Sequence, residues 1–467
     1  MLAIATPLRL ALLATLLAVA LPTRAQGWLW AQSGGGSERN APAGDVGRGI
    51  ALDAAGNLFV TGYFFGVATF GDFTLTSAGD HDVFVVKYSP EGDVLWAWSG
   101  GGRKDDLGAR LALDAEGNLY LAAYFRGTAT FDTFSLTSVG QVDVALLKFS
   151  PEGDVLWARS GGSTDTDACY QVSVGPSGDV YITGRFGHPN GAPATFGDFT
   201  ITSAGHYDVF VVRYSPEGDV LWAWSAGGPH PDRAYGLAQD ADGSTYVAGR
   251  FKELATFGDT TLVSAGHHDA FLAKLSPEGD VLWVRSGGGP TADTARDLAL
   301  DAAGNVYVTG RFQGVATFGD TTLTSTGHYD VFLVKYTPEG DVLWARRGGG
   351  PTADVGYTVA VDAGGDAYVT GYFHQTATFG GITLTSAGRN DIFLTKYAAD
   401  GTIRWAQSAG GERTDVGHGI TVDPNGHLYV SGYFQGTTAF GPHPLTSAGG
   451  NDVFVAKYDP HPAVTVS

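Results

Sequence analysis

One recurring position carries the best candidate chemistry in this chain. It is occupied in turn by Arg48, Ala109, Tyr170, Tyr235, Arg296, Tyr357 and His418. Each stands three residues after an aspartate of the series Asp45, Asp106, Asp167, Asp232, Asp293, Asp354 and Asp415. The aspartates never vary, while the residues three places on differ in kind, so the framework does not dictate them. Guanidinium, phenol and imidazole groups around a concavity bind sugars, peptides or anionic groups. Arg48, Tyr170, Tyr235, Arg296, Tyr357 and His418 are therefore the candidate ligand-binding residues. The plainer reading makes them filler between packed elements, with polar tips in water.

Other chemistry is sparser. The aspartate series could crown a channel and bind a hard cation such as calcium. A D-x-D-x-D-G loop is absent, however, and "DTD" at 165–167 is a lone partial match. The favoured expectation is that each carboxylate accepts hydrogen bonds from backbone N–H groups of the Gly-rich connection beside it, and no metal is expected. Arg185, Arg250 and Arg311 replace a tyrosine found elsewhere at their position, and the same segments carry His206, His267 and His328 two residues before an aspartate. His-x-Asp can ligate zinc, but duplication of neighbouring segments explains the pattern more simply. There is no G-x-S-x-G, H-E-x-x-H or P-loop motif. The single cysteine, Cys169, is read as a small buried residue, because Gly47, Gly108, Ala234, Ala295, Gly356 and Gly417 are its counterparts. No cofactor is implied.

These positions are set by a repeat that fills the chain. "DVFVVKYSPEGDVLWAWSGGG" recurs seven times with small changes, and its tryptophan falls at Trp30, Trp96, Trp157, Trp222, Trp283, Trp344 and Trp405. A fixed period of about sixty residues means one supersecondary unit stacked on copies of itself. In the first full copy, residues 48–53, 58–64, 82–88 and 94–99 read as strands separated by "AAGN" and "SPEGD" turns. Residues 66–79 read as a small hairpin or protruding loop. Four antiparallel strands make a propeller blade. The expected fold is all-β, a seven-bladed propeller. The chain starts with an orphan fourth strand near Trp30 and ends on a third strand at 452–460, so the N-terminal strand is expected to complete the last blade and remove an open edge. The series Asp82, Asp143, Asp208, Asp269, Asp330, Asp391 and Asp452 opens the third strands. The tryptophans, and Phe70, Phe131, Phe196, Phe257, Phe318, Phe379 and Phe440, are read as packing between blades. Both length changes, within 37–45 and 187–193, fall on connections at the face that carries the candidate position, and either is a candidate contact loop.

Composition bounds the partners. Arg9 precedes an apolar run from Leu10 to Leu21, and Thr23-Arg24-Ala25 is a small-residue cleavage site. Residues 1–25 read as a secretory signal and 26–467 as one propeller domain. The run is short for a membrane span, so no membrane insertion is expected after signal removal. One cysteine in an exported chain leaves no internal disulfide. The net charge of −20 disfavours nucleic acid and anionic membranes.

The motifs "GIALDAAGNLFVTGYF" and "DVFVVKYSPEGDVLW" resemble the SBBP family, the seven-bladed β-propeller repeat of bacterial exported proteins, over essentially the whole mature chain. The resemblance implies the fold and export, and brings no shared catalytic residues. The function expected is an exported, monomeric, non-catalytic binding or scaffold propeller, secreted or at the cell surface, with an extracellular glycan, peptide or protein ligand at the axial mouth. The alternatives are a polysaccharide lyase or hydrolase of propeller type and a structural cell-surface component.

Overall fold

A computed structural model describes residues 26–37, 44–188 and 190–461. The expected leader (1–25) and most of the first insertion (38–43) lie outside the described residues. Among those described, every regular element is a strand.

In the first repeat Val46–Leu52, Leu58–Phe70, Phe73–Tyr88 and Val94–Gly102 pair in sequence as an antiparallel meander. The same order recurs behind first strands at Leu107–Leu113, Thr166–Val174, Arg233–Gln239, Thr294–Leu300, Val355–Val361 and Val416–Val422. The last meander takes its fourth strand from the other end of the chain. Gly27–Gly35 pairs antiparallel with His443–Asp459, from Gly27 opposite Asp459 to Gly34 opposite Val453. Each first strand packs beside the next, and Val416–Val422 packs beside Val46–Leu52. The turns close by local side-chain acceptance: Asp53 Oδ1 takes the N–H groups of Ala55 and Asn57, and Ser89 Oγ those of Glu91 and Asp93.

The second and third strands run further than the sequence suggests. Residues 66–79 are the tip of one continuous hairpin, and the tip reaches back to the preceding repeat: Phe70 lies opposite Gly34 and Thr69 opposite Gly35. Equivalent tip pairings join every consecutive pair of repeats. The phenylalanine set sits at these joints. A Cβ added to Gly34 would lie 2.1 Å from the Phe70 ring, so the fourth strand must offer a small residue there.

The repeated aspartates hold the connections between repeats. Asp106 Oδ2 accepts the Gly102 N–H at 2.6 Å and its Oδ1 the Arg126 N–H at 3.1 Å. Asp45, Asp167, Asp232, Asp293 and Asp354 each accept the same two kinds of donor. The second series turns the chain into the third strand, as when Asp82 Oδ2 accepts the Ala78 N–H at 2.9 Å. Members of the two series face each other, like Asp82 and Asp106 across Gly101. Burial pushes these carboxyls up against the pull of their own backbone donors: Asp45 and Asp82 to about 6, Asp106 to about 7 and Asp232 to about 8.

The repeat tryptophans staple each unit to the "SPEGD" turn of the next. Trp157 Nε1 donates to the Pro216 carbonyl at 3.2 Å, its ring lies 6.0 Å from that of Tyr120, and Gly218 (φ +88°) sits against its face. Lys148 stands 5.0 Å over Tyr120 and donates to the same carbonyl. Trp157 and Trp344 are buried, while Trp30, Trp96, Trp222, Trp283 and Trp405 are half-buried. Their packing is thus shallower than full interior burial, because the ring covers a surface turn.

Two outcomes follow from this packing. Trp157→Ala should cost about 3–5 kcal/mol in denaturant melts, as large aromatic truncations do; a loss well below about 1 kcal/mol would contradict the stapling role. The raised carboxyls bind protons more readily folded than unfolded. Their stabilisation is complete below the unfolded value near 3.8 and is lost as pH rises through about 6 to 8. Melting temperature should therefore rise as pH falls from about 8.5 to about 5, and a flat or opposite profile would show these carboxylates ionised throughout.

Candidate functional site

Each candidate residue is delivered by a β-bulge. The pairing of first and second strands skips one residue in every repeat, between Gly47 and Gly49, Gly108 and Arg110, Cys169 and Gln171, Ala234 and Gly236, Ala295 and Asp297, Gly356 and Thr358, and Gly417 and Gly419. The skipped residues are Arg48, Ala109, Tyr170, Tyr235, Arg296, Tyr357 and His418. A bulged residue is freed from the alternation of the strand and re-aimed. Here all seven turn toward one cavity of about 480 Å³, and all of them line it. In six of the repeats the second strand makes room with a glycine at the bulge, where a Cβ on Gly184 would meet the Ala168 carbonyl at 1.9 Å; the second repeat has Ala123 there.

The six candidate side chains are half-buried and touch in a belt. Arg48 lies 5.0 Å over Tyr63 and donates to the Tyr124 hydroxyl at 2.9 Å. Tyr124 meets Tyr170 edge-on, and Tyr170 stacks on Tyr235 at 5.2 Å. Arg296 bridges Tyr235 (5.0 Å) and Tyr357 (5.4 Å). Tyr357 meets His418 at 4.8 Å, and His418 Nδ1–H donates to the Gly47 carbonyl at 3.0 Å, returning to the first repeat. The residues just past the bulges form a floor. Arg110 donates to the Arg48 carbonyl at 2.7 Å and reaches Thr358 Oγ1 and the His418 carbonyl at 3.4 Å. Gln171 donates to Asp297 at 3.2 Å. The bonds to Thr358, His418 and Asp297 join repeats that are not neighbours in the chain.

The electrostatics of the cavity oppose those of the protein. Its lining holds Arg48, Arg110, Arg233, Arg250, Arg296 and Arg311 and no Asp or Glu. None of these guanidiniums is in a salt bridge among the described residues. Asp297 lies behind the floor, its carboxyl raised to about 6 by burial against the pull of Arg110. Burial raises the Tyr235 hydroxyl, but Arg250, Arg296 and Arg233 outweigh it and bring it down to about 8. Burial and then Arg48 push the His418 imidazole down to about 3, so it is neutral. Cys169, fully buried, has its thiol raised to about 12 by burial and is inert.

Sequence reasoning missed four of the six lining arginines. Arg250 and Arg311 were assigned to duplication, yet both line the cavity, and Arg185 stands beside it over Tyr207 at 4.7 Å. They face the first strand across the pair, Arg250 opposite Arg233 and Arg311 opposite Thr294. Arg110 and Arg233 were also missed, although they flank the bulge position by one or two residues. The histidines lie at the edge of this group: His267 packs on His268 at 4.3 Å, and among the described residues no cluster of three or more metal-ligating side chains forms. The second insertion folds back onto the connection before its own first strand, where Asp165 accepts from Asn190 N, Asn190 Nδ2 and Ala192 N. That explains its "DTD" match without a metal.

Comparisons with known proteins are distant. No family model matches the chain, so the SBBP resemblance rests on its motifs. An uncharacterized WD repeat-containing protein of Acanthamoeba polyphaga mimivirus is 22% identical over 443 residues, covering 77% of this chain and 32% of that protein. Regulatory protein FlaEY of Caulobacter vibrioides is 29% identical over 285 residues, covering 56% and 29%. The chain thus spans about a third of the length of the curated relatives it matches. Among solved structures, an inactive H270A virginiamycin B lyase from Staphylococcus aureus with quinupristin aligns over 91% of this chain and 98% of its own, at 10% identity and a TM-score of 0.39. What these likenesses support is an all-β repeat protein with distant WD-type repeat relatives.

Proposed function

We propose that this chain is an exported, monomeric, non-catalytic binding protein, a seven-bladed propeller whose axial cavity seats a negatively charged glycan or peptide. The blades are the seven meanders, and the N-terminal strand closes the ring as the fourth strand of the last. Support for closure comes from the pairing of Gly27–Gly35 with His443–Asp459 and from the cross-axis bonds of Arg110 and Gln171. The observation that carries the functional reading is a cavity lined by six arginines and no carboxylate in a chain of net charge −20. Buried like charges are costly to hold without a counter-charge, and the framework does not require Arg48, Arg296, Arg250 or Arg311, since other repeats place Ala, Tyr or His at the position of the first two and Tyr at that of the others. The groups present favour holding over reacting: guanidiniums keep their protons, and His418 is spent on a backbone carbonyl. The acidic exterior repels long polyanions such as nucleic acid, while a short ligand inside the cavity is governed by the nearby guanidiniums.

Glycan and peptide arrays should return acidic members in preference to neutral ones. Tyr235→Ala and Arg296→Ala should each weaken that binding about tenfold, roughly 1.4 kcal/mol, with little change in melting temperature. Large losses of stability with unchanged affinity would instead make the belt a packing device. For the ring, deletion of residues 26–36 should lower the melting temperature sharply by stripping the last blade of its outer strand; an unchanged melt would contradict closure by this strand.

A further inference from the structure

The arginines are not spread evenly around the cavity. At the second-strand position that faces the axis, four repeats carry Tyr63, Tyr124, Tyr372 and Tyr433, whereas the three consecutive repeats between them carry Arg185, Arg250 and Arg311. Two first strands of the same stretch add Arg233 and Arg296. The result is an arc in which Arg233, Arg250, Arg296 and Arg311 line the cavity from two adjacent repeats with Arg185 beside them, while Arg48 and Arg110 are its other lining arginines.

The Nε atoms of Arg185, Arg233, Arg250, Arg296 and Arg311 are all buried and have no hydrogen-bond partner. A buried donor left unmade costs about 1–3 kcal/mol, more for a charged group. What these side chains do touch are ring faces: Arg185 and Arg233 clamp Tyr207 at 4.7 and 4.6 Å, and Arg311 stands 4.3 Å over Tyr329. Arg233 also donates to the Tyr207 and Tyr235 hydroxyls, whereas in Arg185, Arg296 and Arg311 stacking fixes the guanidinium plane without using its N–H fork, which stays free for an oxyanion. The neighbouring carboxylates are already engaged. Asp232, within electrostatic reach of Arg250, accepts the N–H groups of Gly228 and Lys252, and Asp293 those of Gly289 and Gln313. Charge repulsion is felt within the arc, since burial and then Arg296 lower the Arg311 guanidinium.

Resting on the binding reading above, we propose that the ligand of the axial cavity is a compact polyanion, a molecule with two or more carboxylate, phosphate or sulfate groups. A single carboxylate engages one or two guanidinium forks and would leave the rest of the arc unmatched. The volume of about 480 Å³ falls within the range of small-molecule sites. Within it, groups spaced along one short molecule can reach Arg233 and Arg250 of one repeat and Arg296 and Arg311 of the next. Binding one would relieve the repulsion and raise stability by mass action.

The test uses the mature chain and isothermal calorimetry with pyrophosphate, citrate, a di-uronide and a sulfated disaccharide. Acetate, a mono-uronide and a neutral disaccharide serve as controls. At least one multivalent probe should bind tenfold or more tighter than its monovalent counterpart and raise the melting temperature, and which of the four does so identifies the anionic group. The Arg250→Tyr/Arg311→Tyr double variant installs the residue that four repeats already carry there and removes two mutually repelling charges, so it should fold with an unchanged or higher melting temperature and lose tenfold or more in affinity. Equal affinity for mono- and multivalent probes, or full binding by the double variant, overturns the polyanion. A neutral saccharide binding where no multivalent anion does overturns it while leaving the axial binding site standing. Failure of every probe, together with silent glycan and peptide arrays, overturns both.

Discussion

The structure depends on a buried carboxylate that accepts backbone N–H groups from two directions. In each repeat the first aspartate takes one N–H from the glycine-rich connection arriving from the previous unit and, in most repeats, a second from the end of its own second strand, as Asp354 does from Gly350 and His374. A connection of this kind has no strand partner for those donors, and an unpaired buried N–H is rarely tolerated. Glycine leaves the carboxylate room to approach. The aspartate therefore fixes where each first strand begins, and every residue counted from it inherits that placement.

Three residues on, the inherited placement becomes a site. The strand bulges at the same residue in every repeat, so seven side chains of unrelated chemistry leave the sheet toward one axis. The next residues in line, Arg110, Gln171 and Thr358, bond to one another, to backbone and to Asp297 behind them, and make the floor beneath the belt. Framework and site are thus separated by residue position within a single strand. Asp106 and Cys169 answer to packing, whereas Arg48, Tyr235 and Arg296 are free to answer to a ligand. The asymmetric arc arises the same way, from exchange of tyrosine for arginine at a second-strand position that the sheet does not constrain.

Much of this was legible in the sequence, for a physical reason. A sixty-residue period repeated seven times averages out local ambiguity, so strands, turns and the pairing of chain ends could be read from one copy. The role of the aspartates followed from the glycines beside them. The belt positions could be grouped because they fall at one place early in the first strand of every repeat. The bulge was not read, although its signal was present as the glycine inside an otherwise β-branched second strand, Gly62 in "VTGYF" and its counterparts. Without the bulge, Arg110 and Arg233 had no reason to share a cavity with Arg48. Arg250 and Arg311 were discounted because the likeness of adjacent repeats was sufficient to explain them; ancestry and convergence on one wall are compatible, and only three-dimensional placement separates them. Residues 66–79 were legible as a small hairpin or protruding loop, but not their pairing with the preceding repeat, because the glycine pair that receives them shows no strand pattern of its own.

Arginines of consecutive repeats gather at one cavity, and the buried Nε–H groups of Arg233, Arg250, Arg296 and Arg311 have no partner among the described residues. Arginine Nε–H resonances report on this directly. Titration of the mature protein with a multivalent oxyanion, followed in 1H–15N spectra of the arginine side chains, should move several slowly exchanging Nε–H signals together along one binding curve, while those of solvent-exposed arginines such as Arg103 and Arg413 stay in place. Shifts confined to exposed arginines, or buried signals that do not respond to any anion, would contradict the account.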